Sequence, residues 1–243
     1  MTRRRFIADT WTETTATLTG DQAAHLARVL RAKPGQIYDI VANGFLHRAE
    51  ITSVVPSTAS SPEQIHLTLH EEFASDTALP LHLLLAVFKF DHLEWGIEKA
   101  TELGVARITP ILARRTEKHL TEAAPKRVER WRRIALEASK QSRRTSVPEI
   151  ADPTSLKAAL VTEQSPTRIL LSELEQSLPL AQALQQATAP ETALAIGPEG
   201  GWTPEEMQLF LDQAWQPVTL GQRILRAETA AVAAVAIAGA HLS

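Results

Sequence analysis

The stretch that most constrains the fold is LHLLLAVF, residues 81–88, an apolar run with no turn residue in it. A strand exposed on one face alternates apolar and polar side chains. A run that is apolar throughout suits a strand covered on both faces, as in a parallel sheet. The chain beyond it keeps the matching rhythm. Asp91 opens a helix as its N-cap, with Glu94 three residues on as in a capping box, and Gly104 closes it before a second strand at 105–112. A basic helix follows from Pro125 to about Arg144, with Val128, Trp131, Ala135 and Ala138 down one side. Residues 168–171, 193–196 and 217–220 supply three further short strands with helices between them, and 227–242 reads as a long final helix. Such alternation predicts an open α/β sheet with helices on both faces, whose ligands bind beyond the C-terminal ends of the strands. The loops there are the one after Leu171, the one at 197–202 and the one at 221–226.

Before about residue 75 the pattern is different. Residues 36–41 and 46–51 are β-like runs joined by Asn43-Gly44, the pair that favours a type I′ hairpin. One helix, 21–32, interrupts the strands, with Asp21 as N-cap, Leu26, Val29 and Leu30 as its apolar face, and Lys33-Pro34-Gly35 as its end. A loop at 57–63 precedes another strand at 65–69. The expectation is a small β unit, 1–74, of the partly open barrel kind often found holding RNA, followed by an α/β domain, 75–243.

Composition excludes some chemistries. With no cysteine, disulfide frameworks and thiolate ligands or nucleophiles are ruled out. The eight histidines show no paired spacing such as HExxH, so no metal is expected. No run of about 18 apolar residues could span a bilayer, and MTRRRFIADT lacks the apolar segment of a secretory signal, so the expectation is a cytoplasmic protein with no membrane partner. The net charge is only −3, but it is unevenly distributed: residues 114–144 hold eleven Lys or Arg against four Glu, and 145–215 hold two against ten acidic residues. A solvated helix face is the commoner reading of such a basic block and a footprint for a phosphate backbone the other, and the tally alone leaves both open.

The glycine loop AIGPEGGWTPEE, residues 195–206, lies between a strand and a helix start. It is neither GxGxxG nor GxxxxGK[ST], and Glu199 at its centre would repel a buried phosphate. Thr203 as N-cap, Pro204 at the first helical position and Glu205-Glu206 in the first turn already occupy the positive end of the following helix. The loop therefore suits a nucleoside without phosphate, better still one with a cationic substituent; a turn shaped by glycine geometry alone is the other reading. Further on, LGQRILRAETAAVAAVAIAGA joins a second glycine loop and two arginines to a helix of small residues. These allow close approach to a tight loop or to a second copy, or simply make a buried terminal helix.

In combination, IGPEGGWTPEE and LGQRILRAETAAVAA resemble the SPOUT class of S-adenosylmethionine-dependent RNA methyltransferases, and more narrowly the RsmE family, which methylates N3 of a uridine in small-subunit ribosomal RNA. HLARVLRAKPGQ, IEKATELGVARITPILARR and QSRRTSVPEI agree. The resemblance implies a PUA-like β-barrel domain and a methyltransferase domain with a deep C-terminal trefoil knot. It also implies a homodimer acting on 16S rRNA, in the 30S subunit, with S-adenosyl-L-methionine as cofactor. The implied cofactor residues are Leu171, Ser172, Ile196, Gly197, Glu199, Gly201, Leu220, Gly221, Ile224 and Leu225.

N3–H of uridine is a weak acid, so the reaction needs a base or a cation close by. Arg226 is the candidate cation, and Glu228 either orients it or acts as base; a local ion pair at a helix start is the plainer reading of the two. Candidates for RNA contact are Arg5, Phe6, His25, Arg28 and Arg31 in the first domain, and Arg114, Arg115, Lys140, Arg143 and Arg144 in the second. The family's Glu-Gln-Ser-Gly-Arg reads Lys140-Gln141-Ser142-Arg143-Arg144 here, and Gln222 stands where a proline is usual. Enzymes of the class acting on another RNA or on a ribose hydroxyl, and a non-catalytic RNA-binding protein, are the alternatives.

Overall fold

The computed structural model describes residues 5–73 and 78–242. These form two compact units, residues 5–73 with 140–146, and residues 78–139 with 147–242. The expected boundary between 74 and 75 lies outside the described residues.

The first unit is a six-stranded, mostly antiparallel sheet. Its strands are β1 (Arg5–Ile7), β2 (Thr10–Trp11), β3 (Thr15–Thr19), β4 (Ile37–Ala42), β5 (Phe45–Val55) and β6 (Gln64–Phe73), in the order β1-β4-β5-β6-β3-β2. Asn43 and Gly44, at φ 51° and 80°, make the predicted hairpin turn between β4 and β5. Register shifts against β6 bend the long β5 so that the sheet curls around Leu18, Leu26, Ile40, Ile51, Ile65 and Leu67. The helix departs from expectation. Thr19, not Asp21, is its N-cap, without a side-chain hydrogen bond, and α1 (Gly20–Ala24) widens into a π turn over His25–Val29. The wider winding, closed by Leu30 N–H donating to the His25 carbonyl (3.1 Å), keeps Leu26 buried but turns Val29 out to solvent.

The second unit is built on an all-parallel sheet. Its elements are β7 (Leu81–Ala86), α2 (Phe90–Glu102), β8 (Arg107–Leu112), α3 (Lys118–Ala123), α4 (Val128–Ser142), β9 (Glu149–Ile150), β10 (Thr154–Ser155), α5 (Leu156–Thr162), β11 (Thr167–Leu171), α6 (Leu180–Gln185), β12 (Thr192–Ile196), α7 (Pro204–Asp212), β13 (Gln216–Val218) and α8 (Ala227–Leu242). The order is β10-β8-β7-β12-β11-β13, with β9 also on β8. Alternate residues of the central strands go to opposite faces, as a doubly covered sheet requires. Leu83, Leu85 and Leu194 meet Ile97, Trp131 and Val235 on one side, and Leu84, Ala193 and Ala195 meet Leu160, Phe210 and Trp215 on the other. The terminal helix α8 packs on α2 and α6 with Ala231, Ala234, Val235 and Ala238 buried, so within this unit it is a core helix.

Two helix ends differ from the sequence reading. Lys89 (φ −49°, ψ 126°), not Asp91, is the N-cap of α2, and no side chain caps it. Glu94 is drawn away from a capping box by Arg130, whose Nε donates to it at 2.8 Å, and by Arg127 at 3.5 Å. The basic helix starts as a 3-10 turn, Ala124–Arg127, and stops at Ser142 because Arg143 takes φ 62°, the left-handed conformation that ends helices.

Candidate active site

The ends of β11, β12 and β13 lie side by side, so the loops that leave them meet over one edge of the sheet. Backbone hydrogen bonds join the first and third: Ser172 N–H donates to the Val218 carbonyl (3.0 Å), Thr219 N–H to Leu178 (2.9 Å) and Leu180 N–H to Thr219 (3.0 Å). Gly221, at φ 111°, gives the third loop a conformation that a side chain would strain. In the first loop Glu175 turns back on its own backbone. The Ser177 hydroxyl and N–H and the Leu178 N–H donate to it and hold its carboxyl below the usual range.

The glycine loop is fixed from two sides. Glu206 is buried, and its Oε2 accepts from Thr203 N–H (2.9 Å) while Thr203 Oγ1 accepts from Glu206 N–H (3.2 Å), a complete capping box for α7. Its other oxygen, Oε1, accepts from Arg114 N–H (2.7 Å), tying the loop after β12 to the one after β8. Beneath, Trp202 stacks edge-on against Phe210 (4.9 Å between centroids), and Phe210 against Trp215 (5.2 Å). A Cβ on Gly197 would sit 3.1 Å from Trp202 Nε1, so only glycine lets the strand end lie this close to the indole.

Between these loops lies a cavity of about 1440 Å³. All ten expected cofactor residues, Leu171, Ser172, Ile196, Gly197, Glu199, Gly201, Leu220, Gly221, Ile224 and Leu225, line it, as does Arg226. Lys89 and His92, from the start of α2, also line it, and the sequence reading did not single them out. Glu199 points toward His92, its Oε1 3.7 Å from His92 Nδ1. Glu228, in the first turn of α8, is buried, and its Oε1 lies 3.6 Å from the same nitrogen. This corrects the expected Arg226–Glu228 pair: among the described residues Arg226 has no carboxylate within ion-pair distance, so Glu228 does not orient it. The first turn of α8 carries Glu228 inward and leaves Arg226 exposed on the loop before it.

The expected RNA residues fall into four sets. Arg31, Arg114 and Arg143 are exposed, and His25 and Lys140 are half-buried. Arg5 donates from Nη1 to the Arg143 carbonyl (2.8 Å), and Arg28 is held by Glu63 (2.7 Å) and Ser57 (2.9 Å). Arg115 lines the cavity and donates to the Gly200 carbonyl, which makes it a support of the glycine loop. Phe6 and Arg144 are corrections. Phe6 is 7% exposed, packed edge-on against Tyr38 (6.1 Å), and has no face for a base. Arg144 is buried, and burial pushes its guanidinium below its ordinary value. Among the described residues no group of three or more His, Asp or Glu side chains could hold a metal ion, and no helix is long and apolar enough to cross a membrane.

The loops that leave the last three strands of the parallel sheet thus close on one cavity, and the family model for an RNA methyltransferase domain matches residues 75–239. The chain is 36% identical over 228 residues to the ribosomal RNA small subunit methyltransferase E of Synechocystis sp., covering 92% of this chain and 72% of the relative. To the Bacillus subtilis protein of that name it is 33% identical, covering 89% and 86%. Among solved structures, the ribosomal RNA small subunit methyltransferase E of Neisseria gonorrhoeae bound to S-adenosyl methionine superposes with a TM-score of 0.80 at 29% identity, covering 97% of this chain and 96% of that one. A Legionella pneumophila protein in complex with the same cofactor gives 0.81 at 26% identity, covering 99% and 98%. The chain belongs to the ribosomal RNA small subunit methyltransferase E (RsmE) family of SPOUT methyltransferases.

Proposed function

We propose that this protein transfers a methyl group from S-adenosyl-L-methionine to N3 of a uridine in 16S ribosomal RNA. In this reading it works in the cytoplasm as a homodimer on the 30S subunit. Residues 1–74 are a PUA-like RNA-binding domain, and 75–243 a SPOUT domain with a deep trefoil knot. The observation that carries the reading is the convergence of the three loops on one cavity in a chain of this family. The strand path supports the knot: from β11 the chain crosses to β12 at the centre of the sheet, goes out to β13, and returns with α8 against β12.

The cavity's chemistry fits the cofactor. Leu171, Ile196, Leu220 and Leu225 offer apolar walls for a purine, and at Gly197, Gly200, Gly201 and Gly221 no side chain keeps its edge from the backbone, although the Gly200 carbonyl already accepts from Arg115, the Gly201 N–H donates to the Pro198 carbonyl and Gly221 is hydrogen bonded to Thr219. The buried Trp202 indole N–H, with no partner among the described residues, is a further donor. The Glu199 carboxylate suits a cation and opposes a phosphate. When bound, S-adenosylmethionine supplies an activated methyl group on a cationic sulfur. The chain supplies the rest. Arg226, exposed at the cavity wall, stabilises the negative charge that develops on the uracil ring as N3–H is lost. Glu228, buried with one oxygen lacking a hydrogen bond partner among the described residues, accepts that proton.

Nucleoside mass spectrometry of 16S rRNA from a deletion strain, with and without the gene restored, tests the reading. Loss and return of N3-methyluridine is expected; loss of a 2′-O-methylated nucleoside, or no change, overturns it.

A further inference from the structure

Methylation of uridine N3 leaves one proton to be removed per turnover, and Glu228 cannot hand it directly to bulk water: its side chain is only 10% exposed. The one Lys, Arg or His side chain within 4.0 Å of its carboxylate among the described residues is His92, 33% exposed, whose Nδ1 lies 3.6 Å from Glu228 Oε1. The other ring nitrogen, Nε2, lies 3.8 Å from Oδ2 of Asp91, which is 79% exposed. Three groups thus run from the buried interior to solvent, with an imidazole in the middle, the side chain that can accept a proton at one nitrogen and release another from the second. Glu199 Oε1 lies 3.7 Å from Nδ1 on the cavity side. Neither Nδ1 nor Glu228 Oε2 has a hydrogen bond partner among the described residues, so both are available to a proton in transit. The separations are a few tenths of an ångström beyond hydrogen bond length, as in sites that tighten when substrate binds.

We propose that His92 is the exit relay for the proton of the methylation step. The inference rests on the uridine N3 reading above. The N3–H bond breaks and its proton passes to Glu228. Glu228 gives it to Nδ1 of the neutral His92 ring, Nε2 releases its own proton to Asp91, and Asp91 gives it to water. The ring then returns to its first tautomer by exchange with solvent. No redox partner is needed, and one proton enters and leaves each group. Glu228, whose chain neighbours Arg226 and Ala227 line the cavity, receives the proton in this scheme; His92 acts through it as a positioning and relay residue. No spacing rule in the sequence links residues 92, 199 and 228, which meet only because the start of α2 faces the last two loops of the sheet.

The test uses the full-length protein, S-adenosylmethionine and 30S subunits lacking the modification, in single turnovers. His92→Gln keeps a polar side chain of similar reach but cannot carry a proton, and should slow methyl transfer roughly tenfold to hundredfold, with cofactor affinity by calorimetry within about threefold of wild type. His92→Ala should be slowed as much, and added imidazole should restore its rate in proportion to concentration. A purely structural role moves none of these readouts in this way: unchanged rates, or a loss matched by cofactor affinity and untouched by imidazole, overturn the relay. A readout independent of turnover is the nitrogen NMR signal of the His92 ring in cofactor-free protein. It should shift on Glu228→Gln, and an unmoved signal breaks the link. Wild-type protein that puts no methyl group on uridine N3 overturns the function and the relay with it, whereas active wild type with unaffected His92 variants overturns the relay alone.

Discussion

Glu206 is where a one-atom change should show most clearly how the glycine loop is held. Its two oxygens each accept a backbone N–H, from Arg114 (2.7 Å) and Thr203 (2.9 Å), and the side chain is buried. In Glu206→Gln the size is kept, but an amide has one acceptor oxygen and its nitrogen only donates. One of the two N–H groups must then face another donor in a buried site. A charge-assisted hydrogen bond contributes about 1.5–3 kcal/mol, and the second, now neutral, weakens as well, so the expected loss is roughly 2–4 kcal/mol. For a unit of this size that lowers the melting temperature by about 5–12 °C. Tryptophan fluorescence is a suitable probe, because Trp202 and Trp215 pack on Phe210 beside the same loop. Affinity for S-adenosylmethionine should fall in parallel, since the loop loses an anchor while its glycines remain. A variant melting within about 2 °C of wild type with unchanged affinity would refute the reasoning and leave the aromatic stack as the loop's support.

Gly197→Ala puts a methyl group 3.1 Å from Trp202 Nε1, and the indole, backed by Phe210, has little room to yield. Overpacking should cost about 1–3 kcal/mol in thermal denaturation and weaken cofactor binding in calorimetry. Arg226→Ala should abolish methyl transfer while cofactor affinity stays within about tenfold, and retained turnover would remove Arg226 from the mechanism. Burial alone would raise the Glu163 carboxyl, but donors from His82 and Ser165 outweigh it and lower it from 4.5 to about 2. A depressed folded value stabilises above 4.5 and is lost as pH falls toward 2, so Glu163→Gln should flatten the decline in denaturant stability across that window, a difference on the order of 3 kcal/mol. Arg143 holds φ 62°, where the family pattern has glycine, so Arg143→Gly should gain about 0.5–1 kcal/mol in thermal stability. The same change should reduce the salt slope of RNA binding by about one counterion.

The sheet was legible because residues 81–88, His82 apart, are apolar, and the candidate cavity because ligands in such sheets gather beyond the strand ends. What failed were choices between local arrangements of similar energy. A carboxylate three residues from Asp91 can close a capping box, but Glu94 finds two arginines of a later segment. The apolar stripe through Leu26 and Val29 assumes α-helical winding, and a π turn rotates Val29 off it. Phe6 is one aromatic on a three-residue strand, and only the sheet's curl decides that its ring is inside. His92 was missed because its partners Glu199 and Glu228 lie far along the chain. Arg143 left a trace, a bulky residue standing where the pattern has glycine, and its left-handed φ gives the reason for that glycine.

The central claim, that the three-loop cavity and Arg226 put a methyl group on uridine N3, is tested most directly by one reaction. The protein is incubated with labelled S-adenosylmethionine and 30S subunits from the deletion strain, and the labelled nucleoside is identified by mass spectrometry. Label in N3-methyluridine at a single position of 16S rRNA is the predicted result. Label on a ribose hydroxyl or another base, or none in the presence of bound cofactor, would contradict it.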